Sequence, residues 1–249
     1  MVGKFIGVGI GPGDPDLITV KAVKVLKTVD VVAVPKIHVD AASLALSLIK
    51  QILEERAKPA EVLDLVFPMT KNKFEVEKLW AKNARAIAEK VESGKTVAFI
   101  TLGDPLFYST FIYLFQTIRQ KHPHVKLEII PGVTSLTACA ARAQIPLAEK
   151  EEVVAIIPSD LDFKLIEETA GHVDTLVFMK CAHRFKALVP ILEKAGFTEN
   201  ATVALIRRCG MPGEAVTVGR LADAQDWTIP EDYFSMAIVK RSELPINHG

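Results

Sequence analysis

Short apolar runs rich in β-branched residues alternate with helical segments through the first half of the chain. This alternation is the strongest constraint on the fold, because strands separated by helices form the layered sheet of an α/β domain. The predicted strands are Lys4–Ile10, Val29–Val34, Glu61–Val66, Thr96–Thr101 and Val125–Ile130. Apolar residues at helical spacing predict helices at Ala22–Lys27, Ala42–Ala57 and Lys73–Ser93.

The pattern changes after Pro131-Gly132, since the last strands of the chain have less helix between them. Predicted strands there are Val153–Ile157, Thr175–Met179, Thr202–Ile206, Ala215–Val218 and Phe234–Val239, with helices at Ser135–Arg142, Asp162–Thr169 and His183–Ala195. We expect a mixed sheet in this half and therefore two α/β domains, at residues 1–131 and 132–249. A length of 249 residues and an apolar content of 49% suit this division.

A glycine-rich turn, GVGIGPGDPDLIT, follows the first predicted strand. It is not the dinucleotide fingerprint G-x-G-x-x-G, because the sixth position is Pro12 when counted from Gly7 and Asp14 when counted from Gly9. The phosphate-binding loop motif G-x-x-x-x-G-K-[ST] is also not matched. The GKT at residues 94–96 would need a glycine where the chain has Glu89. These two classes of nucleotide site are therefore not predicted.

The glycines of this turn have two interpretations. Without side chains they let the backbone approach a bulky, flat ligand, with Asp14 as a hydrogen-bond acceptor or base. Alternatively, the segment is a tight strand-to-helix turn that Asp14 caps. A second Gly-Asp-Pro at 103–105 and a third turn at 131–135 also follow predicted strands. Because ligands bind at the carboxyl ends of strands in open α/β sheets, these turns favour the ligand interpretation.

Three stretches together resemble the tetrapyrrole methylase family, which takes a methyl group from S-adenosylmethionine. They are GVGIGPGDPDLIT, TLGDPLFYST and IIPGVTSLTACAARAQIPLAEK, and the resemblance continues through TLVFMK and ATVALIRRCGMPGE. The extension GDPLFYSTFIYL is similar to the branch that methylates C20 of precorrin-2 or cobalt-precorrin-2 on the route to vitamin B12.

The resemblance implies two α/β domains of the tetrapyrrole methylase type with the active-site cleft between them. S-adenosylmethionine, and its product S-adenosylhomocysteine, would bind in that cleft, with the tetrapyrrole beside it. The implied cofactor residues are Leu102, Gly103, Asp104, Phe107, Thr134, Ser135, Met179 and Cys209. The chain departs from the family at Cys209, where related proteins often have glycine, so the contact could shift to Gly210.

The implied substrate site begins with Gly11, Pro12 and Gly13, which would clear space for the macrocycle. The carboxylates of the tetrapyrrole need basic partners on the protein. The best placed are Lys36, Arg207 and Arg208, and weaker candidates are Lys180 and Arg184. The substrate carbon must lose a proton after methylation, and the candidate catalytic residues are Asp104, Tyr108 and Asp14. Tyr108 is assigned to positioning the substrate, although it could instead be an ordinary aromatic packing on Phe111 or Tyr113.

Charge and cysteine content limit the partners. The chain has 30 basic and 30 acidic residues, so nothing favours nucleic acid. Scattered cysteines, and His122 and His124 on a surface turn, predict no protein-bound metal. No leader or long apolar segment is seen, so we expect a cytoplasmic protein without membrane contact. The family resemblance implies a homodimer.

Several rival functions remain open from the sequence. Within the family, the acceptor could be uroporphyrinogen III or a diphthamide precursor on a protein. Outside it, a nucleotide-binding dehydrogenase and a tetrapyrrole carrier without enzymatic activity remain possible in principle.

Overall fold

The computed structural model describes residues 3–38, 40–68, 70, 72–158 and 160–245, with only the backbone of Lys73. The chain divides into two compact units between Thr134 and Ser135. The division predicted from the sequence lies slightly earlier, between Pro131 and Gly132. Each unit contains its own sheet, with helices between its strands.

The first unit is built on a parallel sheet in the order β3-β2-β4-β1-β5. Its strands are β1 (Phe5–Gly9), β2 (Val31–Lys36), β3 (Glu61–Val66), β4 (Val97–Thr101) and β5 (Leu127–Ile130). Its helices are α1 (Val20–Leu26), α2 (Leu44–Leu48), α3 (Lys50–Glu54), α4 (Lys73–Glu92) and α5 (Phe111–Lys121). Helices α1 to α3 cover one face of the sheet, and α4 and α5 cover the other.

Strand β1 shows how the sequence builds both faces. Ile6 and Val8 point into the core under α1 to α3, whereas Phe5 packs into the core under α4 and α5. Gly7 lies on the same face as Phe5, and a Cβ there would come within 2.3 Å of the Phe111 ring. The glycine therefore makes room for Phe111 and lets α5 pack close to the middle of the sheet.

The second unit has a mixed sheet in the order β6-β7-β10-β8-β9. Its strands are β6 (Val154–Ile157), β7 (Thr175–Met179), β8 (Thr202–Arg207), β9 (Ala215–Arg220) and β10 (Ser235–Lys240), and its helices are α6 (Ser135–Ala143), α7 (Phe163–Ala170) and α8 (Phe185–Lys194). Strands β6 and β7 are parallel, whereas β10 runs antiparallel to β7 and β8. The α/β fold class and the mixed second sheet predicted from the sequence are confirmed.

Two helices differ from the prediction. The segment 42–57 forms two short helices because Ile49 leaves helical geometry, with ψ near 4°, and the Ser47 hydroxyl donates to the Leu44 carbonyl. Helix α5 was not among the predicted ranges, since its aromatic and β-branched residues are typical of strands. Tertiary packing makes this segment a helix, because Phe111, Leu114 and Ile118 are buried at helical spacing. No described helix has the length and apolar character needed to span a bilayer.

Candidate functional site

The site predicted from the first half of the chain lies at one edge of the first sheet. Strands β4, β1 and β5 are neighbours and parallel, so the loops after them leave from the same edge. The N–H of Gly103 donates to the carbonyl of Gly11 at 2.7 Å, which joins the loop after β4 to the loop after β1. The two Gly-Asp-Pro turns singled out from the sequence are therefore close together.

Three glycines hold these loops in backbone contact. A Cβ on Gly9 would lie 2.6 Å from the Gly103 carbonyl oxygen and 2.6 Å from the Gly132 nitrogen. A Cβ on Gly132 would lie 2.2 Å from the same Gly103 oxygen. Because real side chains do not tolerate such distances, the strand ends can meet in this way only with glycine at positions 9 and 132, while the φ of +65° at Gly103 also favours glycine.

Asp104 completes this contact with its carboxylate. Its Oδ2 accepts a hydrogen bond from the N–H of Gly132 at 3.0 Å, and its Oδ1 accepts one from the N–H of Leu106 at 2.8 Å. The side chain is half-buried and ties the loop after β4 to the loop after β5. Asp104 therefore has a positioning role that its predicted cofactor and catalytic roles did not include.

The first glycine turn is a tight turn that Asp14 caps. Gly11 has φ +78°, and a Cβ there would meet the Leu17 carbonyl oxygen at 3.0 Å. Gly11, Pro12 and Gly13 are all buried. Asp14 caps the short 3-10 helix at residues 15–17 by accepting the N–H of Asp16 at 3.0 Å. Contact of this turn with a substrate remains a prediction.

Tyr108 has the most unusual backbone in the loop after β4. Its φ is +50°, a backbone conformation that residues other than glycine rarely adopt, and the residue is 52% exposed. Its ring lies edge-on to Phe107, with centroids 5.0 Å apart. The next residue, Ser109, is buried and shares a 2.8 Å hydrogen bond with Thr101 at the end of β4. The anchored loop thus holds an exposed phenol in a strained position, as is common at functional sites.

The Cβ position of Gly103 is uncrowded. Its φ is +65°, and among the described residues, apart from its two chain neighbours, a Cβ there would have no neighbour nearer than 4.0 Å, the closest atoms being in Val133 and Thr134. Leu102 and Phe107 are both half-buried in the same loop. This arrangement contrasts with the crowding at Gly9 and Gly132.

Lys36 ends β2 and already has an acidic partner. Its ammonium lies 2.7 Å from the Asp64 carboxylate, and its side chain is 16% exposed. It lines an open pocket of about 340 Å³ together with Trp80 and Tyr113, whose rings stack at 4.2 Å. Trp80 could not be identified from the sequence, because no local pattern signals its contact with a residue 33 positions further along the chain.

In the second unit, two predicted residues lie at matching strand ends. Met179 ends β7 and is followed by Lys180, with φ +55°, while β8 is followed by Arg208, with φ +51°. The N–H of Lys180 donates to the Ser235 carbonyl and that of Arg208 to the Phe234 carbonyl, both at 2.7 Å. The ends of β7 and β8 therefore flank the start of β10 at one edge of this sheet.

The basic side chains at this edge have partners in the loop before β10. Arg208 Nε donates to the Asp232 carboxylate at 2.6 Å, and the Lys180 ammonium lies over the Tyr233 ring, 4.4 Å from its centroid. Burial opposes ionisation of Asp232, but hydrogen bonds from Arg208 and the Phe234 N–H outweigh it and hold the pKa of the carboxyl below its usual value. Asp232 and Tyr233 were not found from the sequence.

Cys209 is buried. It packs against Cys139 of α6, and the hydrogen bond between their thiols, together with burial, raises the pKa of Cys139. The glycine conformation instead occurs one residue later, since Gly210 has φ +71° and donates its N–H to Glu214 at 2.5 Å. Whether the cofactor contact lies at Cys209 or at Gly210 stays a prediction.

The remaining predicted residues lie on either side of the division between the units. Thr134 ends the first unit and Ser135 begins α6 in the second. Arg207 is half-buried at the end of β8.

Comparison with known proteins agrees with the fold and the motifs. The sequence profile of the Tetrapyrrole (Corrin/Porphyrin) Methylases matches residues 4–225. The chain is 38% identical to the Cobalt-precorrin-2 C(20)-methyltransferase of Salmonella typhimurium, covering 97% of this chain and 98% of that protein. It is 31% identical to the Precorrin-2 C(20)-methyltransferase of a Sinorhizobium species, covering 96% and 95%.

A solved structure has the same fold. The X-ray structure of a cobalt precorrin-4 methyltransferase, a cobalamin biosynthetic enzyme, aligns with a TM-score of 0.74 at 24% identity, covering 95% of this chain and 94% of that chain. The chain belongs to the tetrapyrrole methylase family.

Removing the Asp104 carboxylate tests its positioning role. We expect Asp104→Ala to reduce the free energy of unfolding by roughly 1–3 kcal/mol more than Asp162→Ala, because it leaves the half-buried N–H of Gly132 without its hydrogen-bond acceptor. Asp162 is a matched control, since it also accepts the N–H two residues ahead, at 2.9 Å, while capping α7. Urea unfolding of both variants measures the difference. Equal losses would show that the Asp104–Gly132 bond contributes nothing.

Proposed function

We propose that the chain is an S-adenosylmethionine-dependent C-methyltransferase that methylates the C20 meso carbon of precorrin-2 or cobalt-precorrin-2 in cobalamin biosynthesis. The observation that carries this proposal is the near-complete alignment, at 31–38% identity, with two proteins named for C20 methylation. One is named for the cobalt-containing substrate and the other for the metal-free substrate, so the proposal includes both.

The residues of the first unit fit the cofactor. The uncrowded Cβ position of Gly103 leaves room for a ligand group, and the half-buried Leu102 and Phe107 supply apolar surface for an adenine ring. Backbone groups of the same loop and the hydroxyl of Thr134 supply hydrogen-bonding partners. Ser135, Met179 and Cys209 or Gly210 are the proposed contacts of the second unit.

Bound S-adenosylmethionine supplies a methyl group already activated on a sulfonium. The protein therefore mainly has to align the methyl group with the acceptor carbon and exclude water. The fixed strand-end loops meet the first requirement, because glycine contacts and the Asp104 carboxylate determine their positions. The reaction itself needs no protein-bound metal, since cobalt, where present, belongs to the substrate.

The substrate carbon must lose a proton after it is methylated, and Asp14, Asp104 and Tyr108 remain the candidate acceptors. Each of the two carboxylates already accepts a backbone N–H. Tyr108 is exposed in a strained conformation, which supports its assignment to positioning the macrocycle.

For the carboxylates of the substrate, we keep Lys36, Arg207 and Arg208 as partners, with the Gly11–Gly13 turn beside the ring. Lys36 and Arg208 have acidic neighbours, so a substrate carboxylate would have to share or displace an existing ion pair.

A direct assay tests the activity. Purified protein is incubated with methyl-labelled S-adenosylmethionine and, separately, with precorrin-2, cobalt-precorrin-2 and uroporphyrinogen III. We expect one methyl group to be added at C20 of one or both precorrin-2 forms, and mass spectrometry with NMR of the product locates it. Methylation of uroporphyrinogen III alone, or of a diphthamide precursor in a parallel reaction, would assign the chain to another branch of the family.

Cofactor binding is tested by calorimetric titration with S-adenosylhomocysteine. We expect Phe107→Ala and Met179→Ala each to weaken binding about tenfold, equivalent to ~1.4 kcal/mol, because each removes a proposed apolar contact. Phe74→Ala is the control, since Phe74 is 77% exposed on α4 and is given no role. If the first two variants bind like the control, the cofactor residues are assigned wrongly.

We further propose a cytoplasmic homodimer that binds neither nucleic acid nor membrane. The support is the family and the balanced charge of 30 basic and 30 acidic residues, and two-fold dimers are the commonest soluble oligomers. Light scattering at micromolar concentration is expected to give twice the mass of one chain. A mass of one chain would refute the dimer.

A further inference from the structure

Three side chains with metal-binding atoms converge at the ends of α4 and α5. Glu92 is the last residue of α4, His122 follows α5, and His124 lies two residues further along the chain. One ligand atom from each lies within 4.8 Å of the other two. His124 Nε2 is already 2.7 Å from Glu92 Oε1, and the two imidazole rings are 6.1 Å apart.

This cluster is separate from the candidate methyl-transfer site. Helices α4 and α5 lead into β4 and β5, so their carboxyl ends lie at the edge of the sheet where those strands begin. The glycine loops and Asp104 follow the other ends of the same strands. None of the residues assigned to the cofactor or the tetrapyrrole belongs to the cluster.

The donor set indicates the kind of ion. Two imidazole nitrogens with one carboxylate oxygen suit first-row transition ions such as Zn²⁺, Co²⁺ and Ni²⁺, whereas Mg²⁺ and Ca²⁺ prefer oxygen ligands alone. Bonds to Zn²⁺ are about 2.0–2.1 Å from histidine and about 2.0–2.2 Å from carboxylate. Ligand atoms within 4.8 Å of one another must come closer together to bind one ion at these lengths, and Glu92 and His124 are both exposed enough to rotate toward it.

We propose that Glu92, His122 and His124 form a surface site for a divalent transition-metal ion, with water as the fourth ligand. The ion takes the place of the hydrogen bond between Glu92 and His124. The expectation from the sequence that the protein binds no metal is revised by this proposal, because only the fold brings Glu92 beside the histidine pair.

The backbone around the cluster is already ordered for this role. Pro123 fixes the chain between the two histidines, the His122 N–H donates to the Ile118 carbonyl at 2.8 Å, and the Val125 N–H donates to the His122 carbonyl at 3.0 Å. Little chain entropy is therefore lost when the ion binds.

The charges around the cluster are of both signs. The carboxyl ends of two packed helices carry partial negative charge at this point. Lys90 and Lys95, near the end of α4, are both paired with Glu61, and Arg119 and Lys121 lie in the last turn of α5. A bound ion would cross-link the end of α4 to the segment between α5 and β5, and so stabilise the first unit.

Titration of the untagged full chain with Zn²⁺, after treatment with a chelator, tests the site. We expect one site per chain in the unaltered protein and a loss of affinity of roughly tenfold or more in Glu92→Gln and in His124→Ala, because each removes a ligand. His172→Ala is the matched control, since it removes an exposed histidine of the second unit and should bind Zn²⁺ normally. Zn²⁺ should also raise the melting temperature of the control but not of the two ligand variants.

Co²⁺ gives an independent readout of geometry. Four-coordinate binding at this site is expected to produce visible absorption in the unaltered protein and in His172→Ala, and to lose it in His122→Ala. Unchanged Zn²⁺ affinity in Glu92→Gln, or the same Co²⁺ spectrum in His122→Ala, would overturn the proposal. Methylation of the tetrapyrrole should be the same in all these variants, so failure of the metal site and failure of the proposed function are distinguishable.

Discussion

The backbone contact among Gly9, Gly103 and Gly132 is the constraint on which the candidate site depends. These residues end or follow the three neighbouring strands β1, β4 and β5, and their main chains approach more closely than a side chain at position 9 or 132 permits. The Asp104 carboxylate bridges the same loops. Hydrophobic packing on both faces of the sheet brings the strands together, but the glycines decide how closely their ends can approach.

This arrangement explains how a loop edge can serve methyl transfer. Alignment of a methyl donor and an acceptor carbon needs fixed positions, and a loop held by backbone contacts loses little freedom when ligand binds. The same edge contains the uncrowded Cβ position of Gly103 and the strained Tyr108. Family membership and this geometry support the same proposed chemistry.

The sequence predicted the strands closely, and the ranges Glu61–Val66 and Thr175–Met179 are identical in the structure. The family could also be recognised from the sequence, because its motifs are short stretches of consecutive residues. The assignment of Gly11, Pro12 and Gly13 to the macrocycle stays a prediction, and the sequence did not show that Gly7 makes room for Phe111 or that Gly9 makes room for the neighbouring loops. These contacts, like that of Glu92 with the histidine pair, join residues distant in the chain, and no local pattern signals them.

Gly132→Ala is the variant that shows whether the glycine contact holds in place the loops proposed to bind the cofactor. Gly171→Ala is the control, because a Cβ there would have its nearest neighbour at 3.6 Å and φ is −64°. The measurement is the affinity for S-adenosylhomocysteine, with circular dichroism to verify folding. We expect Gly132→Ala to lose most of its affinity while Gly171→Ala binds normally. A folded Gly132→Ala variant with unchanged affinity would show that the glycine contact is not needed for cofactor binding.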